Sequence, residues 1–479
     1  MQFLRISTYP ANFVASIMRL RFTLSSLSLL ILVPSLAFGY GSRIATQDAQ
    51  ATAQGNAFTA TADNPSAIYY NPAGIMQLDG FNVEVGAYGI WIDENYKPLH
   101  GQAGAHDSTA HEPLQSVPEF YATYHPKGQV YAFGLGVYAP FGLSTEWPDD
   151  ASFRTAGLYG SLEYIAFTPT FAVQVTRSLS VGLGISANYI NAQLREGLTS
   201  MPGDSFSFKG DGLSVGGNIG IMWKPTERQS IGFSYHSPVS GDLTGHTQEG
   251  LNGSEKAASE AGNAKIAAGR AQLAAGIAQI NSLPIPASAK AGLIAQANAS
   301  FQAQLAASGV PASGSFPTDF PTLAANGTLK FPQYATLGYS FRPTPDWNFE
   351  ADIDWTDWDS LNTLNLKRSD GSTISVPFNW THSFLYELGA THTVGAYKLS
   401  AGYIYSENSV PSGSFNPIIP DSARNIFSVG VGRSFGSFNV ELAYELSIGV
   451  NRTIVNDSVA DGRYSFLSNA VSISLGYHF

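Results

Sequence analysis

The chain has 479 residues, no cysteine, 48 glycines and a formal net charge of -11. Charged side chains make up 13% of it, about half the roughly 25% of a soluble domain, while aromatics reach 12%. Disorder is excluded by the 44% hydrophobic content, and a nucleic-acid partner by the acidic balance. A bundle of membrane helices is excluded because no repeated apolar runs of about 20 residues follow the N-terminus. Low charge, many rings and many glycines point to β-strands that are apolar on one face.

In chain order, Met18-Arg19-Leu20-Arg21 is a short basic segment, followed by an apolar run from Phe22 to Val33. Pro34 ends the run, and Ser35-Leu36-Ala37 supplies the small residues of a cleavage site. Residues 1–37 are therefore expected to be a secretory signal peptide cut after Ala37, with Met18 as an alternative start. An apolar run of about 12 residues is too short to span a membrane. An exported chain without cysteine has no disulfides, so its stability must come from backbone pairing and packing.

Residues 38–79 are rich in Ala, Thr, Gln, Asn and Gly, and Asn64-Pro65 and Asn71-Pro72 mark specific turns. Small polar residues of this kind suit a plug inside a polar-lined barrel. From residue 80 onward the pattern alternates with period two. Trp347, Phe349, Ala351, Ile353 and Trp355 face one way, and Asn348, Glu350, Asp352, Asp354 and Thr356 the other. The closing segment does the same, with Val471, Ile473, Leu475, Tyr477 and Phe479 against Ser472, Ser474, Gly476 and His478.

Such alternation recurs near 80–93, 118–126, 130–143, 159–176, 180–195, 211–224, 230–243, 331–342, 347–358, 382–394, 397–406, 424–435, 437–448 and 464–479. That makes about fourteen strands, an even number, joined by alternating tight turns and long polar loops. The fold class is an all-β transmembrane barrel of about 14 antiparallel strands, residues 80–479, with the N-terminal plug in its lumen. Between the seventh and eighth strands lies an insert of about 244–329. There Glu255–Ile280 and Ala287–Ala307 are Ala- and Gln-rich and expected to be helical. Ile266, Leu273, Ile277 and Ile280 share one helical face, and Leu293, Ala297, Phe301 and Leu305 another. The two stripes either pack as a hairpin or add apolar surface at the mouth of the barrel. The location expected is the bacterial outer membrane.

Four runs, in order along the chain, resemble the FadL-type family of outer-membrane transporters of long-chain fatty acids and aromatic hydrocarbons. Asp63 to Gly74, reading DNPSAIYYNPAG, is similar to its N-terminal hatch signature, and Phe141 to Trp147 to its third strand running into the first long loop. Trp347 to Trp358 resembles its mid-barrel strand of acids and tryptophans, and Ile419 to Arg424 the approach to its twelfth strand. The resemblance implies capture of a hydrophobic ligand among the outer loops, an internal pocket above the hatch, and sideways exit at an inward kink of the third strand. It places the hatch motif on Asn71, Pro72, Ala73 and Gly74.

Pro140 cannot donate a ladder hydrogen bond and Gly142 follows it, so a break is expected at Ala139-Pro140-Phe141-Gly142, where the family's kink would fall. The alternative is that Pro140 ends the strand early. A fatty acid would want a buried cation, and Arg154 and Arg195 are the candidate carboxylate partners. The partners expected are a hydrophobic small molecule and outer-membrane lipids, and the barrel is expected to be a monomer.

Other motifs fail on context. Gly212-Leu213-Ser214-Val215-Gly216 matches a hydrolase pattern but lies inside an alternating strand rather than a strand-turn-helix. Asp352, Asp354, Asp357 and Asp359 lack the glycine that a calcium loop needs. No enzyme, metal or cofactor is expected. The readings left are long-chain fatty acid transport, aromatic hydrocarbon uptake and a general water-filled porin.

Overall fold

The computed structural model describes residues 41–479 apart from Ala103, Glu112, Pro113 and Ala312. The expected signal peptide, its cut after Ala37 and the first residues of the expected plug lie outside the described residues. Fourteen staves run antiparallel around a closed barrel. The first seven are β1 (Gly80–Pro98), β2 (Gln115–His125), β3 (Tyr131–Tyr138 continued by Gly142–Glu146), β4 (Tyr159–Thr176), β5 (Leu179–Glu196), β6 (Ser205–Thr226) and β7 (Gln229–His236 continued by Val239–Gly250). The rest are β8 (Leu323–Phe331 continued by Tyr334–Thr344), β9 (Trp347–Thr356), β10 (Ser383–Val394), β11 (Tyr397–Ser406), β12 (Arg424–Phe435), β13 (Phe438–Gly449) and β14 (Gly462–His478). The ring closes where β1 pairs with β14, from Asn82↔His478 to Pro98↔Gly462.

Two staves run further than their alternation suggests. β7 and β8 extend outward past Pro238 and Pro332, which fall at the same height. The ladder stops at Tyr334↔His236 and resumes at Val239↔Phe331, so the two breaks lie side by side. The chain between them forms α3 (Gly253–Ser282) and α4 (Ala287–Ala307), which pack on each other. Asn252 and Glu255 cap α3 reciprocally at 2.9 and 3.0 Å. Ile266 is buried and Leu273, Ile277, Ile280, Phe301 and Leu305 are half-buried, so the expected stripes meet each other as a hairpin.

The alternation separates two solvents. On β9, Trp347, Phe349 and Ile353 are 38%, 44% and 50% exposed on the outside, where lipid lies, while Glu350, Asp352 and Asp354 are 4%, 2% and 3% exposed inside. Those inward acids do not face water. They hold residues 41–79, which fill the lumen as α1 (Ala49–Ala53), α2 (Ala67–Tyr70) and a 3-10 turn over Pro72–Gln77.

The attachment is specific. Asp352 accepts the backbone N–H groups of Phe58 and Thr59 at 3.2 and 2.9 Å. Glu350 accepts those of Ala60 and Thr61 at 2.7 and 3.2 Å, and the Thr61 hydroxyl donates to it as well. Asp354 binds the Arg43 guanidinium through both oxygens, at 2.5 and 2.7 Å. Two staves along the same wall, Gly402 of β11 leaves room for the backbone of Gln54 and Gly55, which a side chain there would strike. An irregular segment buried this way needs every N–H paired, and charged acceptors on a rigid strand supply the strongest pairs.

Glu350→Ala removes the acceptor for two buried backbone N–H groups and a hydroxyl, a cost of about 1–3 kcal/mol for each orphaned donor. The expected outcome is a barrel that still shows heat-modifiable migration on gels while the 41–79 segment becomes open to protease. Unchanged protease resistance would show that other contacts hold the segment.

Candidate functional site

At Ala139-Pro140-Phe141 the third stave breaks and parts from β2. Tyr131–Tyr138 pairs with β4 and, through Phe133 to Val137, with β2. Beyond the break, Gly142–Glu146 pairs with β4 alone, from Gly142↔Glu163 to Glu146↔Tyr159. On the other side of the gap, β2 residues Gln115 to Glu119 pair only with β1. The β2–β3 ladder therefore lapses over the outer half of the wall, where Gln115 Nε2 donates to the Ser144 carbonyl at 2.8 Å and the His111 N–H to the Glu146 carbonyl at 2.6 Å.

The inward turn costs the strand its wall partner, and the N-terminal segment replaces it. Arg43 pairs antiparallel with Phe141. The Ile44 N–H donates to the Pro140 carbonyl at 2.8 Å, and the Gly142 N–H to the Ser42 carbonyl at 2.9 Å. Gln47 takes both groups of Ala139, its Nε2 donating to the carbonyl at 2.8 Å and its Oε1 accepting the N–H at 3.2 Å. A Cβ at Gly142 would lie 2.7 Å from Ile44 Cδ1, so a side chain there would push the end of Ile44 aside. The turn also points Phe141 inward, where its ring meets Tyr164, Phe331, Tyr334 and Trp358 at centroid distances of 5.3, 5.1, 6.3 and 6.1 Å.

Two cavities flank this point. A cavity of about 150 Å³ reaches from Tyr88 and Arg424 to Gln115, Val117, Gly142 and Ser144, and so opens against the lapsed ladder. Ile419, Pro420, Asp421 and Arg424 of the family-like run line it. Further out, an apolar space of about 70 Å³ is bounded by Leu162, Leu194, Phe208, Trp358, Phe378 and Trp380. Ile419 borders both.

The hatch motif residues come together beneath. Asn71 is fully buried and acts three ways. Its Oδ1 accepts the Ala73 N–H at 3.2 Å and sets the turn, and its Nδ2 donates to the Thr59 and Ile221 carbonyls at 2.8 and 3.1 Å. Pro72 starts the 3-10 turn, and Gly74 packs where a Cβ would lie 2.7 Å from Ala62 Cβ. Asn71 thereby ties the segment to β6, in which Ser214 lies mid-strand with no turn beside it.

Arg154 and Arg195 are placed elsewhere. Arg154 is buried in the outer loops between Asp204 and Asp149, and Arg195 pairs with Glu146 at 3.0 Å. Both thus already hold protein carboxylates. Burial alone would raise the Asp204 carboxyl, but hydrogen bonds from Arg154 and Thr199 outweigh it and hold the group below its ordinary value. The arginines at the larger cavity are instead Arg43 and Arg424, stacked over Tyr334 at 3.7 Å and Phe466 at 3.8 Å. Arg43 carried a signal in the sequence, being the only basic residue between Phe38 and Asp79. Gln47 and Gln115 carried none.

Outward rings, inward carboxylates and a closed antiparallel ring define an outer-membrane β-barrel. The family model described as outer membrane protein transport protein (OMPP1/FadL/TodX) matches residues 30–479, and the chain belongs to that family of transport channels, which are not enzymes. The long-chain fatty acid transport protein of Escherichia coli is 22% identical over 96% of this chain and 98% of its own length. A Pseudomonas aeruginosa FadL homologue of known structure shares the fold with a TM-score of 0.71 at 20% identity, over 92% of this chain and 100% of that one. The Ralstonia pickettii toluene transporter TbuX gives 0.61 at 16% identity, over 92% and 98%.

A lowered carboxyl contributes stability above its unfolded value, and that contribution is lost as pH falls through the folded one. The loop held by Arg154 and Asp204 is therefore expected to resist protease at neutral pH and to loosen only below about pH 3.9, the ordinary aspartate value. Asp204→Asn should loosen it at neutral pH, and a loop equally tight in that variant would contradict the assignment.

Proposed function

We propose that this chain carries hydrophobic compounds, long-chain fatty acids first among them, across the bacterial outer membrane by capture at the outer loops, binding in the internal cavities and lateral exit at the β3 kink. The observation that carries this reading is the 150 Å³ cavity lying directly against the lapsed β2–β3 ladder. An apolar molecule gains about 0.8 kcal/mol per CH₂ on leaving water, so a path from pocket to bilayer avoids a costly return to water. Residues 41–79 serve as the hatch in this scheme, since they occupy the lumen a porin would leave wet. The fatty-acid assignment draws on the name of the Escherichia coli relative that aligns along nearly the whole chain.

A second substrate reading, a monoaromatic hydrocarbon, is favoured by size. A cavity of about 150 Å³ has room for one benzene ring, and this one has the same volume, with Ile90, Val117 and Ile404 beside the charged Glu94, Asp421 and Arg424. A fatty-acid tail would have to extend through both cavities past Ile419.

Binding of a labelled long-chain fatty acid to the detergent-held barrel, with toluene as competitor, separates the two. Saturable binding that toluene does not displace is the expected result, and no fatty-acid binding with saturable aromatic uptake would favour the second reading. Replacing Pro140 by Thr together with Gly142 by Ala should lower uptake severalfold in a folded barrel, and unchanged uptake would overturn lateral exit. Asn71→Ala should slow or speed ligand release more than it changes binding, whereas equal losses in both would indicate misfolding.

A further inference from the structure

Below the apolar space, on the same two strands, lies a second and chemically different compartment. Along β5 the inward row runs Leu194, Ala192, Ile190, Asn188, and along β4 it runs Leu162, Tyr164, Ala166, Thr168. The outer members of both rows line the apolar space, and the deeper members line a niche of about 30 Å³. Phe331 borders both, and the kink residues Pro140 and Phe141 form one side of the niche.

The niche is polar yet uncharged. Ser186, Asn188, Asn218, His236 and Ser237 line it beside Tyr138 and Tyr164, and no Asp, Glu, Lys or Arg does. Asn188 is only 1% exposed, and neither its Nδ2 nor its Oδ1 has a hydrogen-bond partner. Asn218, 3% exposed, donates its Nδ2 to the Ile68 carbonyl of the hatch at 2.8 Å and leaves its Oδ1 unmatched. A buried amide lacking both partners costs about 1–3 kcal/mol per group in the empty protein. Around 10–15 Å³ is enough for one water-sized group, so the niche holds about two.

We infer that this niche receives the polar end of an amphipathic ligand, an uncharged group that both donates and accepts a hydrogen bond, as an alcohol or an un-ionised carboxyl does, while the tail runs outward past Phe331 through the apolar space and on past Ile419 into the larger cavity. The inference rests on the transport reading above and narrows its substrate class. An uncharged donor-acceptor head matches the Asn188 amide, which has one donor side and one acceptor side. An ionised head would enter a buried space with no Lys or Arg in its lining, since the Arg43 guanidinium stands behind the Tyr334 ring and is held by Asp354, and it would lose its hydration without a direct partner. Through Asn218, the same niche touches the hatch at Ile68.

The test compares three probes of equal chain length on the detergent-held, full-length barrel: labelled hexadecanol, hexadecane and hexadecyl sulfonate. The wild type is expected to bind the alcohol about tenfold more tightly than the alkane, the value of one well-made buried hydrogen bond, and the sulfonate no better than the alkane. Asn188→Leu should bring the alcohol down to the alkane's affinity and leave the alkane unchanged, while Asn188→Ser keeps part of the preference. Equal binding of alcohol and alkane by the wild type, a preference that survives Asn188→Leu, or a preference for the sulfonate would each overturn the inference. Binding of none of the three would instead sink the transport reading beneath it. Heat-modifiable migration of each variant confirms the barrel, and Asn188→Ser serves if the leucine variant does not fold.

Discussion

Inside a membrane a strand cannot leave its sheet unless its amides and carbonyls find new partners, because lipid supplies none. The third stave parts from β2 at Pro140 while staying paired with β4, and the rest of the site depends on how its free edge is then satisfied. Ser42 to Gln47 take the place of β2 from the inside, through Ile44, Ser42 and the Gln47 amide. The gap in the wall and the packing of the hatch are thus one structure. Moving the N-terminal segment withdraws partners from the kink, and straightening the kink would drive Gly142 and Ile44 apart. Arg43 joins this junction to β9 through Asp354 and to β8 through the Tyr334 ring.

The acidic row of β9 has a complementary role. A barrel of this width needs something in its lumen, and an extended polar segment needs acceptors for its N–H groups. Glu350, Asp352 and Asp354 meet both needs from one strand whose other face is Trp347, Phe349 and Ile353. A strand with rings on one side and acids on the other therefore serves lipid and hatch at once, and no metal is needed to explain its carboxylates.

Much of this was legible in the sequence. Period-two alternation is a local property, so the staves, their number and the inward acids could be read directly, and Pro140 with Gly142 marked the break. The DNPSAIYYNPAG run pointed to a structured hatch, because Asn-Pro pairs encode turns. What could not be read were contacts between distant segments. Nothing in Ser42 or Gln47 announces a pairing with residue 140, and nothing in Gln115 announces a bond across the gap. The outward extension of β7 to Gly250 and of β8 from Leu323 was not read, because it depends on the register between the two. Arg154 looked like a ligand's partner, since a sequence does not say that Asp149 and Asp204 fold against it. Asn188 passed as one more inward polar residue, because a missing hydrogen-bond partner is visible only in three dimensions.

The central claim is that the gap between β2 and β3 is the ligand's way out. The chain has no cysteine of its own, so Gln115→Cys with Ser144→Cys can be bridged across that gap by a reducible bis-thiol-reactive reagent without interference. Uptake of a labelled hydrophobic ligand by cells carrying this variant, measured before and after reductant, tests the claim most directly. Uptake blocked when the link is formed and restored when it is reduced is the expected result. Uptake unaffected by a link shown to have formed would contradict it and send the search for the exit elsewhere in the wall.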